Sequence, residues 1–301
     1  MGYVPLRRGA GRLFDETLNR MLRELFGMSD ITQAENVVLS TYGDRVSVEE
    51  KAKNLNKFGV NFAVGTTFET VGQFQGTTAN ETFTSTNSID RVSSDNTSNN
   101  GLVLQVEGHT IDGSGNLTFV VQEATLGTPA TTPVTLSTPL ARASRMFPKA
   151  SGTFNAPQGD VVGNVYVFDN TAATGTTAGV PDVAAATKLM LVSENQSQQC
   201  ATSISSTDYW FITSVDAGIG SAGGNAARVR VRLETRDVAN GGVWRPLGRD
   251  LDLDIDQNGV QQDESPYLIV PKNHDVRVRA LTDANTASVF AEIRGVLAKV
   301  I

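Results

Sequence analysis

The hydrophobic positions of this chain follow two different periods, and the change comes near residue 55. Within residues 9–27, apolar side chains recur at steps of three and four, which is the spacing of one face of an α-helix. These side chains belong to Phe14, Leu18, Met21, Leu22 and Leu25. Arginine and glutamate lie on the other face, and Gly27 suits a helix end. The pattern predicts an amphipathic N-terminal helix followed by a polar linker.

Two interpretations of this helix stay open. It either packs on its own domain or forms an arm that docks on another subunit. The second is favoured, because the residues between this segment and about residue 55 are polar and contain no second helix pattern. Large apolar side chains on an otherwise solvated helix are costly to leave in water. The predicted docking residues are therefore Leu18, Met21, Leu22, Leu25 and Phe26.

From about residue 56 onward, the pattern is that of β-strands. Short segments rich in β-branched and aromatic residues alternate with Gly, Asn, Asp, Ser and Pro, and no helical pattern separates them. This predicts a mainly β fold, built as one or two antiparallel β-sandwiches or jelly-rolls. A turn-rich joint, PKASGTFNAPQGD, predicts a boundary near residue 150. The predicted divisions are an arm over residues 1–55, a first β region over 56–150 and a C-terminal β-sandwich over 151–301.

Composition and charge narrow the classes of function. The net charge of −7 argues against a body that binds nucleic acid, because phosphate neutralisation requires a basic surplus. The single cysteine, Cys200, excludes an intrachain disulfide and a cysteine-based zinc site. No apolar run is long enough for a membrane span, and no signal peptide is expected. No membrane partner and no cofactor are therefore predicted.

The segment DLDLDIDQNG offers the one candidate metal site. Asp254, Asp256, Asn258 and Gly259 follow the order of a calcium-binding loop. Such a loop needs a bidentate glutamate at its twelfth position, where this chain has Ser265, and it needs flanking helices. Strict alternation of aspartate with Leu and Ile instead predicts a half-buried strand that ends in an Asn-Gly turn. Calcium remains the weaker interpretation.

Aspartates that share one face of a strand repel each other unless a counter-charge is near. The segment RVRVRLETR alternates in the same way, with Arg228, Arg230 and Arg232 on one face. We predict that the two strands pair, so that arginines face aspartates. Arg277 and Arg279 are the alternative source of positive charge.

Catalytic chemistry is not indicated. His109 and His274 are the only histidines, and both stand in segments that favour surface turns. No nucleophile–base arrangement is apparent around either of them. The sequence therefore predicts a protein that is not an enzyme.

The order of loops and strands resembles that of virion structural proteins of tailed bacteriophages. The resemblance rests on TNSIDRVSSDNTSNNGLVLQVEGHTIDGSGNLTFVVQEATLGTPATTP, and later on LVSENQSQQ, DYWFITSV, VRVRLETR and IVPKNHDVRVRA. It implies a jelly-roll protein of the head-decoration (cement) or minor capsid type, located in the virion after assembly in the host cytoplasm. The implied partners are the major capsid protein or tail and neck proteins. It transfers no catalytic residue.

Other roles stay open beside this one. The chain could be a tail or neck component, such as an adaptor, a tail fibre or a spike-attachment protein, or a carbohydrate- or receptor-binding module. A polysaccharide-degrading enzyme is a third class. Because β-sandwiches of this kind assemble around symmetry axes, a homo-oligomer is expected, with a trimer as one form.

Overall fold

The computed structural model describes residues 52–74, 81, 83–149, 161–170, 176–182, 186–192, 194–222, 228–239, 242–254, 260–284 and 286–299. These residues form a mainly β structure with several antiparallel sheets, which confirms the mainly β, antiparallel part of the predicted fold class. Within these ranges, the helical structure is a single 3-10 turn over Thr97–Asn99. The amphipathic helix predicted over residues 9–27 lies outside the described residues.

The strands follow one another along the chain in short steps, and most are joined by turns. In chain order they are β1 (Ala52–Val64), β2 (Glu69–Thr70), β3 (Ile89–Ser94), β4 (Val103–Ile111), β5 (Leu117–Thr125), β6 (Val134–Leu140), β7 (Arg142–Pro148), β8 (Val165–Asp169), β9 (Thr176–Thr177), β10 (Val180–Pro181), β11 (Ala186–Met190), β12 (Ala201–Ser203), β13 (Asp208–Ala222), β14 (Arg228–Asp237), β15 (Arg245–Pro246), β16 (Leu251–Asp254), β17 (Val260–Val270), β18 (His274–Thr282) and β19 (Ala287–Lys299).

Two of the sheets share a first hydrophobic core. One has the strand order β1-β19-β13-β17, and the other has the order β12-β18-β14-β15, with β16 on β14 and β2 on β18. Alternate side chains of both sheets point into this core, because successive residues of a strand face opposite sides. Trp210, Ile212, Val231, Val278 and Ile293 are among the buried residues that form it.

The sheets β11-β8-β3-β6 and β5-β4-β7 share a second core. Leu104, Val106, Leu140, Val167 and Met190 are among its buried side chains. The strands of this second unit lie between β2 and β12 in the chain, so the unit is an insertion into the first one. The division into three regions predicted from the sequence stays a prediction. Among the described strands, β8 pairs with β3 across residue 150, and β1 pairs with β19.

The carboxylate of Asp275 in β18 links the inserted unit to the first core. This side chain is fully buried and accepts hydrogen bonds from Arg142 Nε at 2.8 Å and Nη2 at 3.1 Å. It also accepts from Arg236 Nε at 2.9 Å and Ser203 Oγ at 2.5 Å. These donors come from β7, β14 and β12. A carboxylate removed from water is tolerated only with such partners.

Aromatic rings cover Arg142 and Arg236, and also the nearby Arg277, which pairs with Glu234. The guanidinium of Arg277 lies 3.9 Å from the ring centroid of Trp244, and that of Arg236 lies 4.8 Å from the same ring. Phe83 packs on Trp244 with a centroid separation of 5.2 Å, and Arg142 lies 5.3 Å from the Phe83 ring. The rings stack on the guanidinium groups and shield them partly from water, which strengthens the electrostatic contacts.

Asp275→Asn tests this link. The substitution keeps the shape but leaves the buried Arg142 and the partly exposed Arg236 without their counter-charge, so we expect a loss of about 3–5 kcal/mol in the free energy of unfolding. The matched control is Asp252→Asn, which removes an exposed partner of Arg230 and should cost about 1 kcal/mol or less. Urea denaturation of both variants provides the comparison. Equal losses would contradict a special role for Asp275.

Candidate functional site

The predicted calcium residues lie only partly within the described structure. Asp254 ends β16, whereas Asp256 and Asn258 lie outside the described residues. The described residues contain no group of three or more His, Cys, Asp or Glu side chains that could hold a metal ion. The carboxylate of Asp254 instead lies 3.2 Å from Arg228 Nε.

The predicted ladder of arginines and aspartates forms as expected. Strands β14 and β16 pair antiparallel, so that Arg228 stands opposite Asp254 and Arg230 stands opposite Asp252. The closest pairs are Arg228 with Asp254 at 3.2 Å, Arg230 with Asp252 at 2.8 Å, and Arg232 with Asp250 at 2.7 Å. The hydrogen bond from Arg232 lowers the pKa of the Asp250 carboxyl. The alternative arginines, Arg277 and Arg279, face Glu234 instead.

The predicted docking residues Leu18, Met21, Leu22, Leu25 and Phe26 all lie outside the described residues. Their role stays a prediction. The part of the chain that the structure describes contains no helix that is long and apolar enough to cross a membrane.

A cleft of about 460 Å³ opens where the inserted unit meets the first core. Strands β1, β4, β5, β7, β12, β13 and β19 and the segment of residues 205–207 contribute to its lining. The lining combines charged, hydroxyl-bearing and apolar side chains, and its volume lies in the range of small-molecule sites. We call it the interdomain cleft.

Lys57 of β1 is the buried cation of this cleft. Its Nζ donates a hydrogen bond to the carbonyl oxygen of Ser144 at 3.0 Å, and no carboxylate of the described residues lies within ion-pair distance. Burial, then the nearby charge of Lys188, lowers the pKa of Lys57 to about 8. Arg145 acts in the same direction, whereas Glu107 and Glu81 oppose the shift. Lys57 is therefore a cation with unused hydrogen-bonding capacity.

Lys188 is a buried lysine of the same protein that has a carboxylate partner. Its Nζ lies 2.7 Å from Glu81 Oε1, and both side chains are almost fully buried. Burial disfavours the charged form of both side chains. The opposite charge of the partner stabilises the charged form of each and offsets this cost. The contrast shows that Lys57 lacks the kind of partner that its burial requires.

His109 lies beside Lys57 and was predicted wrongly as a surface turn residue. It belongs to β4 and is buried, because β4 continues to Ile111 before the turn begins. Its Nδ1 lies 3.4 Å from Ser144 Oγ, and burial, followed by the charge of Lys57, lowers its pKa to about 3. A histidine with so low a pKa is a weak base at neutral pH, so the pair is better suited to binding than to proton abstraction.

The alternation in β1 contains a signal that the sequence reasoning missed. Lys57 and Gly59 face inward, and Phe58 and Phe62 face outward with 38% and 61% of their surface exposed. The hydrophobic pattern alone predicts the opposite orientation. Among the described residues β1 pairs only with β19, so it is an edge strand of its sheet.

A third phenylalanine extends this outward aromatic surface. Phe290 of β19 stands opposite Val60 and is 42% exposed. Its ring lies over Gly218 of β13, where an added Cβ would come within 2.2 Å of the ring. We call the surface formed by Phe58, Val60, Phe62 and Phe290 the phenylalanine face.

Comparisons with known proteins do not assign a family. No protein-family model and no curated protein matches the chain. A chain in the structure of infectious bursal disease virus Gt strain is 12% identical over 88% of this chain and 78% of that chain, with a TM-score of 0.22. A chain in the crystal structure of the infectious bursal disease virus VP2 subviral particle is 8% identical over 90% and 83%, with a TM-score of 0.18. Both TM-scores are too low to support an assignment of fold or function.

Chelation separates the calcium interpretation from the ladder. Because the described aspartates of β16 already face arginines, we expect EDTA to leave the melting temperature unchanged. Differential scanning calorimetry with and without added calcium measures this. A melting temperature that falls by several degrees in EDTA and recovers with calcium would support the calcium-binding interpretation instead.

Lys57 should make stability depend on pH in a defined direction. The folded pKa of about 8 lies below the unfolded value, so the unfolded chain binds more protons between these two values, and stability rises with pH there. We therefore expect the stability of the native chain, relative to Lys57→Met, to rise by about 2 kcal/mol between about pH 7 and pH 10. Urea denaturation of both proteins across this range gives the difference. Parallel pH profiles would contradict an uncompensated buried lysine.

Proposed function

We propose that the chain is a non-catalytic structural subunit of a virus particle that assembles through its phenylalanine face with a second copy of itself. The observation that supports this most directly is the orientation of β1. Its large apolar residues face outward, whereas its lysine faces inward. Contiguous exposed aromatic residues on a soluble protein mark a surface that another protein covers.

The position of this face in the sheet supports the same proposal. Strand β1 has 13 residues and lies at the edge of its sheet within the described structure. A long exposed edge offers unpaired backbone groups to another chain, which natural monomers usually avoid. Aromatic residues at the centre of an interface carry much of its binding energy. A second copy would cover both the rings and the edge.

The finer role comes from the sequence resemblance. Within that proposal the chain is a head-decoration or cement protein, or a minor capsid protein, of a tailed bacteriophage with jelly-roll architecture. It is located in the virion and forms a homo-oligomer, for which a trimer is one arrangement. The N-terminal residues Leu18, Met21, Leu22, Leu25 and Phe26 would contact the major capsid protein, and the acidic body would not bind nucleic acid.

Two alternatives have different support. Placement in the tail or neck requires the same kind of surface, so the phenylalanine face does not distinguish it from the capsid. A carbohydrate- or receptor-binding module is favoured by one observation of its own, the interdomain cleft with its hydroxyl groups and the half-exposed ring of Phe119.

Sedimentation velocity tests the assembly. We expect the native chain to associate reversibly, and we expect Phe62→Ser to weaken the association by about tenfold or more, because a buried aromatic contact is lost. The matched control is Val243→Ser, which removes an exposed apolar residue outside the phenylalanine face and should leave association unchanged. A native chain that stays monomeric at every concentration tested would contradict the proposal.

Co-sedimentation separates the particle locations. The full chain and a variant that lacks residues 1–30 are mixed with emptied phage heads and, separately, with isolated tails. Saturable binding of the full chain to heads, lost in the truncation, supports capsid decoration through the arm. Binding to tails alone places the chain in the tail or neck, and binding to neither contradicts a virion role.

A further inference from the structure

We propose that the interdomain cleft binds a small carboxylate that also carries hydroxyl groups, the chemical class of a hexuronic acid, with its carboxylate between Lys57 and Arg145. The site is separate from the phenylalanine face. It would therefore stand if the assembly proposal failed.

Two cationic groups in the cleft have unmet hydrogen-bonding capacity. Lys57 Nζ has three donors and makes one hydrogen bond, to a neutral carbonyl oxygen. Arg145 Nε is buried without a hydrogen-bond partner among the described residues. Its nearest carboxylate, that of Glu107, is 4.0 Å from Nη1. Buried donors of this kind are costly unless an acceptor satisfies them.

The charged side chains of the lining carry a net positive charge. Lys53, Lys57 and Arg145 stand against Glu107 and Asp208, so three cations and two carboxylates leave one positive charge. Both carboxylates already accept hydrogen bonds, Glu107 from Gln105 and Asp208 from Thr207. A ligand with a single negative charge neutralises this net positive charge, whereas a phosphate dianion leaves an excess negative charge.

The rest of the cleft lining combines hydroxyl groups with apolar side chains. Ser144, Thr202, Ser205, Ser206 and Thr207 supply hydroxyl groups that can donate and accept hydrogen bonds. Leu55, Leu117, Leu297 and Phe119 supply the apolar part. Sugar rings present both kinds of surface, with hydroxyl groups at their edges and C–H groups on their faces. A hydroxylated carboxylate therefore matches the lining better than a purely apolar acid.

Binding should also change the protonation of Lys57. The charged groups around its ammonium are Lys188, Arg145, Glu107 and Glu81, and the last two lie too far away to pair with it. A ligand carboxylate stabilises the ammonium and raises its pKa, so the complex takes up protons near pH 8. Affinity should fall as pH rises above that value, because the free protein then loses the proton that the carboxylate requires.

Isothermal titration calorimetry of the full chain with matched acid and neutral probes tests the site. The pairs are D-glucuronate with D-glucose, D-galacturonate with D-galactose, and D-glycerate with glycerol. We expect at least one acid to bind about tenfold or more tightly than its neutral counterpart, with weaker binding at about pH 9.5 than at pH 7. Titration in two buffers of different ionisation enthalpy should show proton uptake near pH 8.

Variants place the binding in the cleft. Lys57→Met should lower the affinity for the acid by about tenfold or more and leave that for the neutral probe unchanged. Arg145→Gln is the second variant, since its half-exposed side chain tolerates change better than Lys57. The matched control is Lys149→Met, which removes an exposed lysine outside the cleft lining. Equal affinity of Lys57→Met and the native chain would overturn the proposal.

Two further probes identify the source and the charge of the ligand. Tetragalacturonate and monomeric galacturonate distinguish a polymeric glycan from a free acid, and both outcomes agree with the proposal. Inorganic phosphate tests the charge argument. Phosphate that binds more tightly than every acid, or no acid that binds better than its neutral match, would overturn the assignment.

Discussion

The arrangement of the two cores depends on the carboxylate of Asp275. It is fully removed from water, and its donors come from β7 in the inserted unit and from β12 and β14 in the first unit. An ionised carboxylate in such a place is stable only when all of these donors are present together. The positions of four strands are therefore coupled. The interdomain cleft has a defined shape because its walls, which β7 and β12 help to form, are connected in this way.

The same residue types have a different effect in the ladder of β14 and β16. There the pairs are exposed, and solvent screens them, so they set the register of the strands more than they stabilise the fold. This difference explains which part of the structure could be predicted. The ladder follows from alternation and opposite charge along two short segments. Asp275 stands in the equally regular segment HDVRVRA, and nothing local shows that Arg142, more than a hundred residues earlier, is its partner.

The candidate site shows the same limit. The mainly β fold follows from period-two patterns, but the cleft joins residues from seven strands, many of them distant in sequence. His109 was expected in a surface turn because glycine, threonine and aspartate surround it. It is buried because β5 and β7 flank β4 and the first unit covers it. Burial that depends on contact between the two units cannot be derived from the composition of a single segment.

Strand β1 connects the cleft and the phenylalanine face through one geometric constraint. An added Cβ at Gly59 would lie 2.3 Å from the carbonyl oxygen of Val71 and 2.5 Å from the backbone nitrogen of Cys200, so no other residue fits there without a shift of backbone. Gly59 must therefore face inward. Period two then turns Lys57 into the cleft and Phe58 outward. A register slip of one residue would bury Phe58 but would force its side chain into that backbone. The outward orientation of Phe58 and the inward orientation of Lys57 thus have a single cause.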